Sequence, residues 1–151
     1  LDRDNAQANF YALCRRANEY RRGRRRLSDS KGDEDVRAFV MAAVKHSGYA
    51  LRYADEDLKK DREIVLAAVR KAGLALRYAD ALLKKDREIV LAAVNENAHA
   101  LYYADEDLKK DREIVLAAVK QDSYALRYAD ASLQNDPAIV LAADTAMAAA
   151  W

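Results

Sequence analysis

Polar and apolar positions fall in blocks along this chain, and the blocks return every 25 residues. Residues 64–69 read IVLAAV, six apolar residues in a row, and the same letters stand at 89–94 and 114–119. Asp-Arg-Glu precedes each block, so the word DREIVLAAV occurs at 61–69, 86–94 and 111–119. Asp61 suits a helix N-cap, and Glu63 places negative charge at the positive end of the helix dipole. Ile64 with Ala68, and Val65 with Val69, lie four apart on one face, and Leu66 widens the stripe. So continuous an apolar run predicts a helix covered on most sides. The β-branched residues allow a buried strand as the competing reading. The charged start and the paired alanines favour the helix.

The remainder of each unit predicts shorter pieces. GLALRYADALLKK, residues 73–85, predicts a short helix through Leu76 and Ala79, a break at Asp80, and one further turn carrying Leu83. Asp55, Asp105 and Asp130 stand at the same capping place, with Leu58, Leu108 and Leu133 following. One unbroken helix over 75–84 is the alternative. Gly48 and Gly73 sit where a helix end calls for a left-handed residue. Ala98 and Ser123 hold that place in the next two copies.

The units are 36–60, 61–85, 86–110 and 111–135, with a partial copy over 136–151; the second and third agree at 17 of 25 positions. Self-similarity at such a period marks a stacked array. A unit this small cannot cover its own apolar helix and needs a copy above and below. The expected fold is therefore all-α: a short helical-repeat solenoid over 36–151, with one longer helix, a short helix and a further turn per unit. A basic N-terminal helix and linker over 1–35 precedes it.

These units resemble a tandem-repeat family of uncharacterised function common in protist and algal proteins. Its units read approximately Asp-Arg-Glu-Val-Val-Leu-Ala-Ala-Val, a Gly-containing link, Ala-Leu-x-x-Ala, a capping residue, two acidic residues and Leu-Lys. The likeness runs from about 36 to 143, and the family is similar in repeat length to leucine-rich repeat variant solenoids, which alternate α and 3₁₀ helices. The resemblance implies a short right-handed helical stack without catalytic residues, and it suggests an organellar complex, photosynthetic or respiratory, as the setting. Ala98, Ser123 and Pro137 depart from the pattern and put the link geometry in question.

Composition changes this picture little. Gly 4 and Pro 1 disfavour tight turns. With 26 Lys+Arg against 25 Asp+Glu, no overall field draws the chain to a polyanion. The repeated apolar run is far short of the roughly 20 residues that cross a bilayer, so a membrane is reached only through partners or the basic arm. The single Cys14 cannot form an internal disulfide, and an intracellular setting is expected. With Leu at position 1, the chain is expected to be a processed or partial product.

Outside the array, Phe10, Leu13 and Ala17 lie at helical spacing among Arg15, Arg16, Arg21, Arg22, Arg24, Arg25 and Arg26. Two readings compete: a capping helix with a solvated arm, and an electrostatic dock for RNA, an acidic protein face or anionic lipid. SDSKGDED, residues 28–35, is a linker by composition. At the other end Asp144 replaces a core Val, as suits a terminal unit with no neighbour, and Trp151 is expected to close that end.

No phosphate-cradling loop, nucleophile elbow or zinc-binding His pair is present, and His46 and His99 fall at different places in the repeat, as surface or link residues do. The expectation is no enzyme, no cofactor and no metal. The surface feature that stands out is a ladder. Arg52, Arg77, Tyr102 and Arg127 each precede a tyrosine, Tyr53, Tyr78, Tyr103 and Tyr128. Stacked units bring such residues into a row about 10 Å apart. Arg and Tyr are enriched in protein-binding hot spots, and they also serve single-stranded RNA. The plainer alternative makes the tyrosines inter-unit core residues.

Charge favours protein. Unit 36–60 has 5 basic and 3 acidic residues and 61–85 has 6 and 3, whereas 86–110 has 3 and 6 and 111–135 has 3 and 4. A polynucleotide track would keep one sign throughout. The expected function is a non-catalytic protein-binding scaffold, a peripheral or bridging subunit of a larger complex; an RNA-binding module is the alternative. Assigning Leu91 to the stacked core predicts that Leu91→Ala costs about 2–5 kcal/mol, measurable by chemical denaturation.

Overall fold

The computed structural model of the chain describes residues 30–150. Helix α1 (Ser30–His46) leads into a six-residue 3₁₀ helix, η1 (Gly48–Tyr53), and the single turn α2 (Glu56–Lys59). The following units repeat this order. They are α3 (Arg62–Lys71), η2 (Gly73–Tyr78) and η3 (Leu83–Lys85); α4 (Arg87–Glu96), η4 (Ala98–Tyr103) and η5 (Leu108–Lys110); and α5 (Arg112–Gln121), η6 (Ser123–Tyr128) and α6 (Ala131–Gln134). Helix α7 (Pro137–Ala149) ends the array. The architecture is all-α and repeated, with no strand among the described residues.

Each long helix starts as its sequence predicts. The Asp61 carboxylate accepts the N–H groups of Glu63 and Ile64 at 3.1 and 3.3 Å, and Asp86, Asp111 and Asp136 do the same for their helices. Pro137 is accommodated because it occupies the first turn of α7, where no N–H is needed. The second piece is 3₁₀, closed by Ala75 N–H to Ala72 O at 2.9 Å and Ala79 N–H to Leu76 O at 3.1 Å. It breaks at Ala79, whose backbone is extended. The Asp80 carboxylate then accepts the Leu82 N–H at 3.0 Å and holds the third piece in a turn.

Stacking supplies the core. Successive long helices pack on one another, successive 3₁₀ helices form a second layer, and each 3₁₀ helix also touches the long helix of the next unit. Ile64, Val65, Ala68 and Val69 have no exposed surface, and neither do their counterparts in α4 and α5. Leu51, Leu76 and Leu101 fill the 3₁₀ layer with equal completeness. A backbone bond recurs between units as well: the N–H groups of Asp80, Asp105 and Asp130 donate to the carbonyls of Lys59, Lys84 and Lys109, all at 3.0 Å.

Three sequence expectations need correction. The linker assigned to 28–35 is helical from Ser30 onward, because α1 extends a turn and more ahead of the first unit, with acidic residues at the end where the dipole favours them. Gly48 and Gly73 are not left-handed. They are needed for close approach: a Cβ on Gly48 would lie 2.3 Å from the Ala68 carbonyl, and one on Gly73 would lie 2.3 Å from that of Ala93. Leu91 is only half-buried, one step of about 100° round the helix from the buried pair Ile89 and Val90.

Asp144 is exposed where Val119 is buried one unit earlier, and α7 leaves Leu141 66% exposed. Because Leu91 is half-buried, Leu91→Ala should cost only about 1–2 kcal/mol, while Ile89→Ala carries the full core penalty of about 2–5 kcal/mol in urea denaturation. Equal costs for the two would contradict this packing. Gly73→Ala should destabilise by about 1 kcal/mol, the low end of overpacking, because Ala98 shows that the next unit accepts a methyl group there. A Gly73→Ala protein as stable as the parent would contradict the contact with Ala93.

Candidate functional site

The six-residue 3₁₀ helices set the site. At three residues per turn, side chains three apart eclipse one another. In η1 this sends Gly48 and Leu51 into the core and leaves Tyr49 and Arg52 together on the outer side. The same outer pair is Leu74 and Arg77 in η2, His99 and Tyr102 in η4, and Tyr124 and Arg127 in η6. Tyr49, Tyr102 and Tyr124 are 43%, 58% and 69% exposed. Beside them, Tyr53, Tyr78, Tyr103 and Tyr128 lie half-buried against the core. These inner tyrosines are therefore partly core residues, bordered by a solvent-facing edge.

Contacts along this edge are cation–π and ring-on-ring. The Arg52 guanidinium lies 5.7 Å from the centre of the Tyr53 ring, and that of Arg77 lies 5.3 Å from Tyr78 and 5.8 Å from Tyr103 in the next unit. Where Tyr102 replaces arginine, an aromatic cluster forms. Tyr102 meets Tyr103 and Tyr128 edge-on at 5.1 and 5.5 Å, and Lys109 lies 5.7 Å from its ring. His99 Nε2 lies 2.9 Å from the Asp122 carboxylate, and Nδ1 lies 3.2 Å from the Tyr128 hydroxyl. Tyr49, His99 and Tyr124 were missed in the sequence; the signal available was their spacing of three from Arg52, Tyr102 and Arg127. Arg15, Arg16, Arg21, Arg22, Arg24, Arg25 and Arg26 lie outside the described residues, as do Cys14 and Trp151.

The other arginines have a different task. Arg37 donates to Asp61 at 2.7 Å and to Glu63 at 2.9 Å. Arg62 bridges Asp86 and Glu88 in the same way, and Arg87 bridges Asp111 and Glu113. Arg112 reaches Asp136 at 3.4 Å. Each Asp-Arg-Glu thus caps its own helix with Asp, accepts the preceding unit's arginine on Asp and Glu, and sends its own arginine to the unit that follows. By contrast, Arg52, Arg77 and Arg127 form no ion pair among the described residues. The ladder has ends, since Val36 and Ala38 replace the acceptors in the first unit, and Pro137 and Ala138 replace Arg and Glu in the last.

The ladder tunes its own acids. Burial pushes the Asp61 and Asp111 carboxyls up, but the hydrogen bonds from Arg37 or Arg87 and from the helix N–H groups outweigh it. The bond from Arg62 does most to hold Asp86 below the usual carboxylate range, and that from Arg112 most to hold Asp136 there. The guanidiniums of Arg37 and Arg62 are raised, first by their bonds to Asp61 and Asp86. These pairs are partly solvated, so each adds modestly to stability.

Among the described residues no group of His, Cys, Asp and Glu is arranged to hold a metal, and no helix is long and apolar enough to cross a membrane. What remains is an all-α tandem array with a solvent-facing Arg-Tyr edge. The chain belongs to the family described as a domain of unknown function, DUF4116, which matches residues 37–84, 86–134 and 111–143. No curated protein and no solved structure matches it.

Folding lowers the ladder carboxyls below their unfolded value of about 3.9, so the unfolded chain binds more protons as pH falls through 4. The ladder's contribution is complete above about pH 4 and is lost as pH drops through the depressed values. Urea midpoints should stay level from pH 8 to 5 and fall below pH 4. An Arg62→Gln, Arg87→Gln double variant should start lower and fall less steeply; an unchanged slope would contradict the coupling.

Proposed function

We propose that this chain is a non-catalytic scaffold that binds another protein along the edge formed by its 3₁₀ helices, as a peripheral or bridging subunit of a larger assembly. The supporting observation is the division of labour among the arginines. Arg37, Arg62, Arg87 and Arg112 hold the units together. Arg52, Arg77 and Arg127 lie exposed and take no part in that ladder, and the first two lie beside tyrosine rings. Arg and Tyr that pack on one side and face water on the other suit a binding hot spot, because little side-chain freedom is left to lose on docking. A row of this kind also suits bases and phosphates, so RNA is the alternative ligand class.

Site-specific photo-crosslinking tests the choice. A crosslinking side chain at Tyr49, Tyr102 or Tyr124 should give peptide adducts in the native cell, and one at Leu82, exposed on the short third segment, should not. Adducts on nucleotides would move the assignment to RNA. Equal yields from Leu82 would remove the edge as the binding surface.

A further inference from the structure

The edge is not uniform, and its pattern specifies a ligand. In the first two units it carries Arg52 and Arg77, and the last turns of α1 and α3, which lead into those 3₁₀ helices, carry the exposed Lys45, Arg70 and Lys71. Of these, Arg52, Arg77, Lys45, Arg70 and Lys71 form no ion pair among the described residues. In the third unit the corresponding helix end is Asn95 and Glu96, and Glu96 is occupied by the Gly73 N–H. The edge there is the ring cluster of Tyr102, Tyr103 and Tyr128. In the fourth unit Arg127 restores the cation.

We propose, resting on the protein-binding reading above, that the partner is an extended acidic peptide segment laid across the units, with one contact residue for each. Neighbouring units stand about 10 Å apart, the packing distance of helices. A peptide in the polyproline II form advances about 3.1 Å per residue with three residues per turn, so every third side chain points the same way. The contact residues therefore recur about every third position: an acid on Arg52, an acid on Arg77, an aromatic ring on the Tyr102 cluster, and an acid on Arg127. Charge complementarity selects the acids, since no carboxylate among the described residues pairs with those three guanidiniums. The exposed Tyr102 ring, already met edge-on by two others, offers a further ring the same geometry. Base-stacking ligands fit less well, because the acidic third unit would repel a phosphate backbone crossing it.

The test uses the purified chain, fluorescence anisotropy and synthetic twelve-residue peptides. One has Asp, Asp, Tyr and Asp at every third position in a Gly-Ser background; a second has the same composition scrambled; a third has Lys for Asp; oligo(U) is the fourth ligand. The ordered acidic peptide should bind best, and an Arg52→Gln, Arg77→Gln variant should bind it about tenfold more weakly or worse. Tyr102→Arg should exchange the preference at the third contact from Tyr to Asp, a change that loss of fold would not produce. Circular dichroism checks that both variants remain helical. Equal binding of ordered and scrambled peptides, no binding of either, or no effect of the arginine substitutions overturns the proposal. If peptide adducts still come from the edge in that case, the protein-binding reading survives and only the ligand is wrong. Tighter binding of oligo(U) than of any peptide overturns both.

Discussion

No 25-residue unit of this chain can cover its own helix. Ile64, Val65, Ala68 and Val69 reach zero exposure only because α1 lies on one side and α4 on the other. At roughly 1.5–3 kcal/mol for each large aliphatic side chain, this burial outweighs every polar contact in the unit. It is also indifferent to register, since one IVLAAV face would meet another at several offsets. The polar contacts remove that freedom. Arg62 bridges Asp86 and Glu88, the Asp80 N–H meets the Lys59 carbonyl, and Glu96 takes the Gly73 N–H. Together these permit one offset only.

The last of those bonds shows how closely the levels depend on one another. Ala72 is extended, so the 3₁₀ helix begins with an N–H that its own unit cannot satisfy. A buried donor left unpaired is costly. Glu96 and Gln121, the final residues of α4 and α5, reach back to the donors of Gly73 and Ala98. Gln121 also donates to the Asn95 carbonyl at 2.8 Å. Two of the 3₁₀ helices, η2 and η4, are thus completed by the unit after them, and the edge they carry depends on the stack.

Much of this was legible in the sequence, and the failures share a cause. The helix over IVLAAV, its Asp cap and the break near Asp80 depend on residues close in the chain, and each was found. Leu91 was misjudged because a run of six apolar residues hides which of them meets the flank. Gly73 was assigned to backbone conformation, but its reason is the Ala93 carbonyl, 20 residues on in sequence. The arginine of Asp-Arg-Glu was passed over because its partners stand 24 and 26 residues away. The period itself held that clue, since a charge repeated in phase with an opposite charge will meet it in a stack. Of the candidate edge, the exposed arginines and half-buried tyrosines were legible as a repeated pair, whereas the placement of Tyr49, His99 and Tyr124 beside them required the three-residue pitch.

Within each 3₁₀ helix, the inward letters barely change: Leu51, Leu76, Leu101 and Leu126 follow Ala50, Ala75, Ala100 and Ala125. The outward letters change freely, Tyr-Arg, Leu-Arg, His-Tyr and Tyr-Arg. Two vocabularies share six positions without interfering. Duplicating or shuffling a unit would therefore rewrite the outward face while leaving the architecture intact, much as movable type is reset on an unchanged frame.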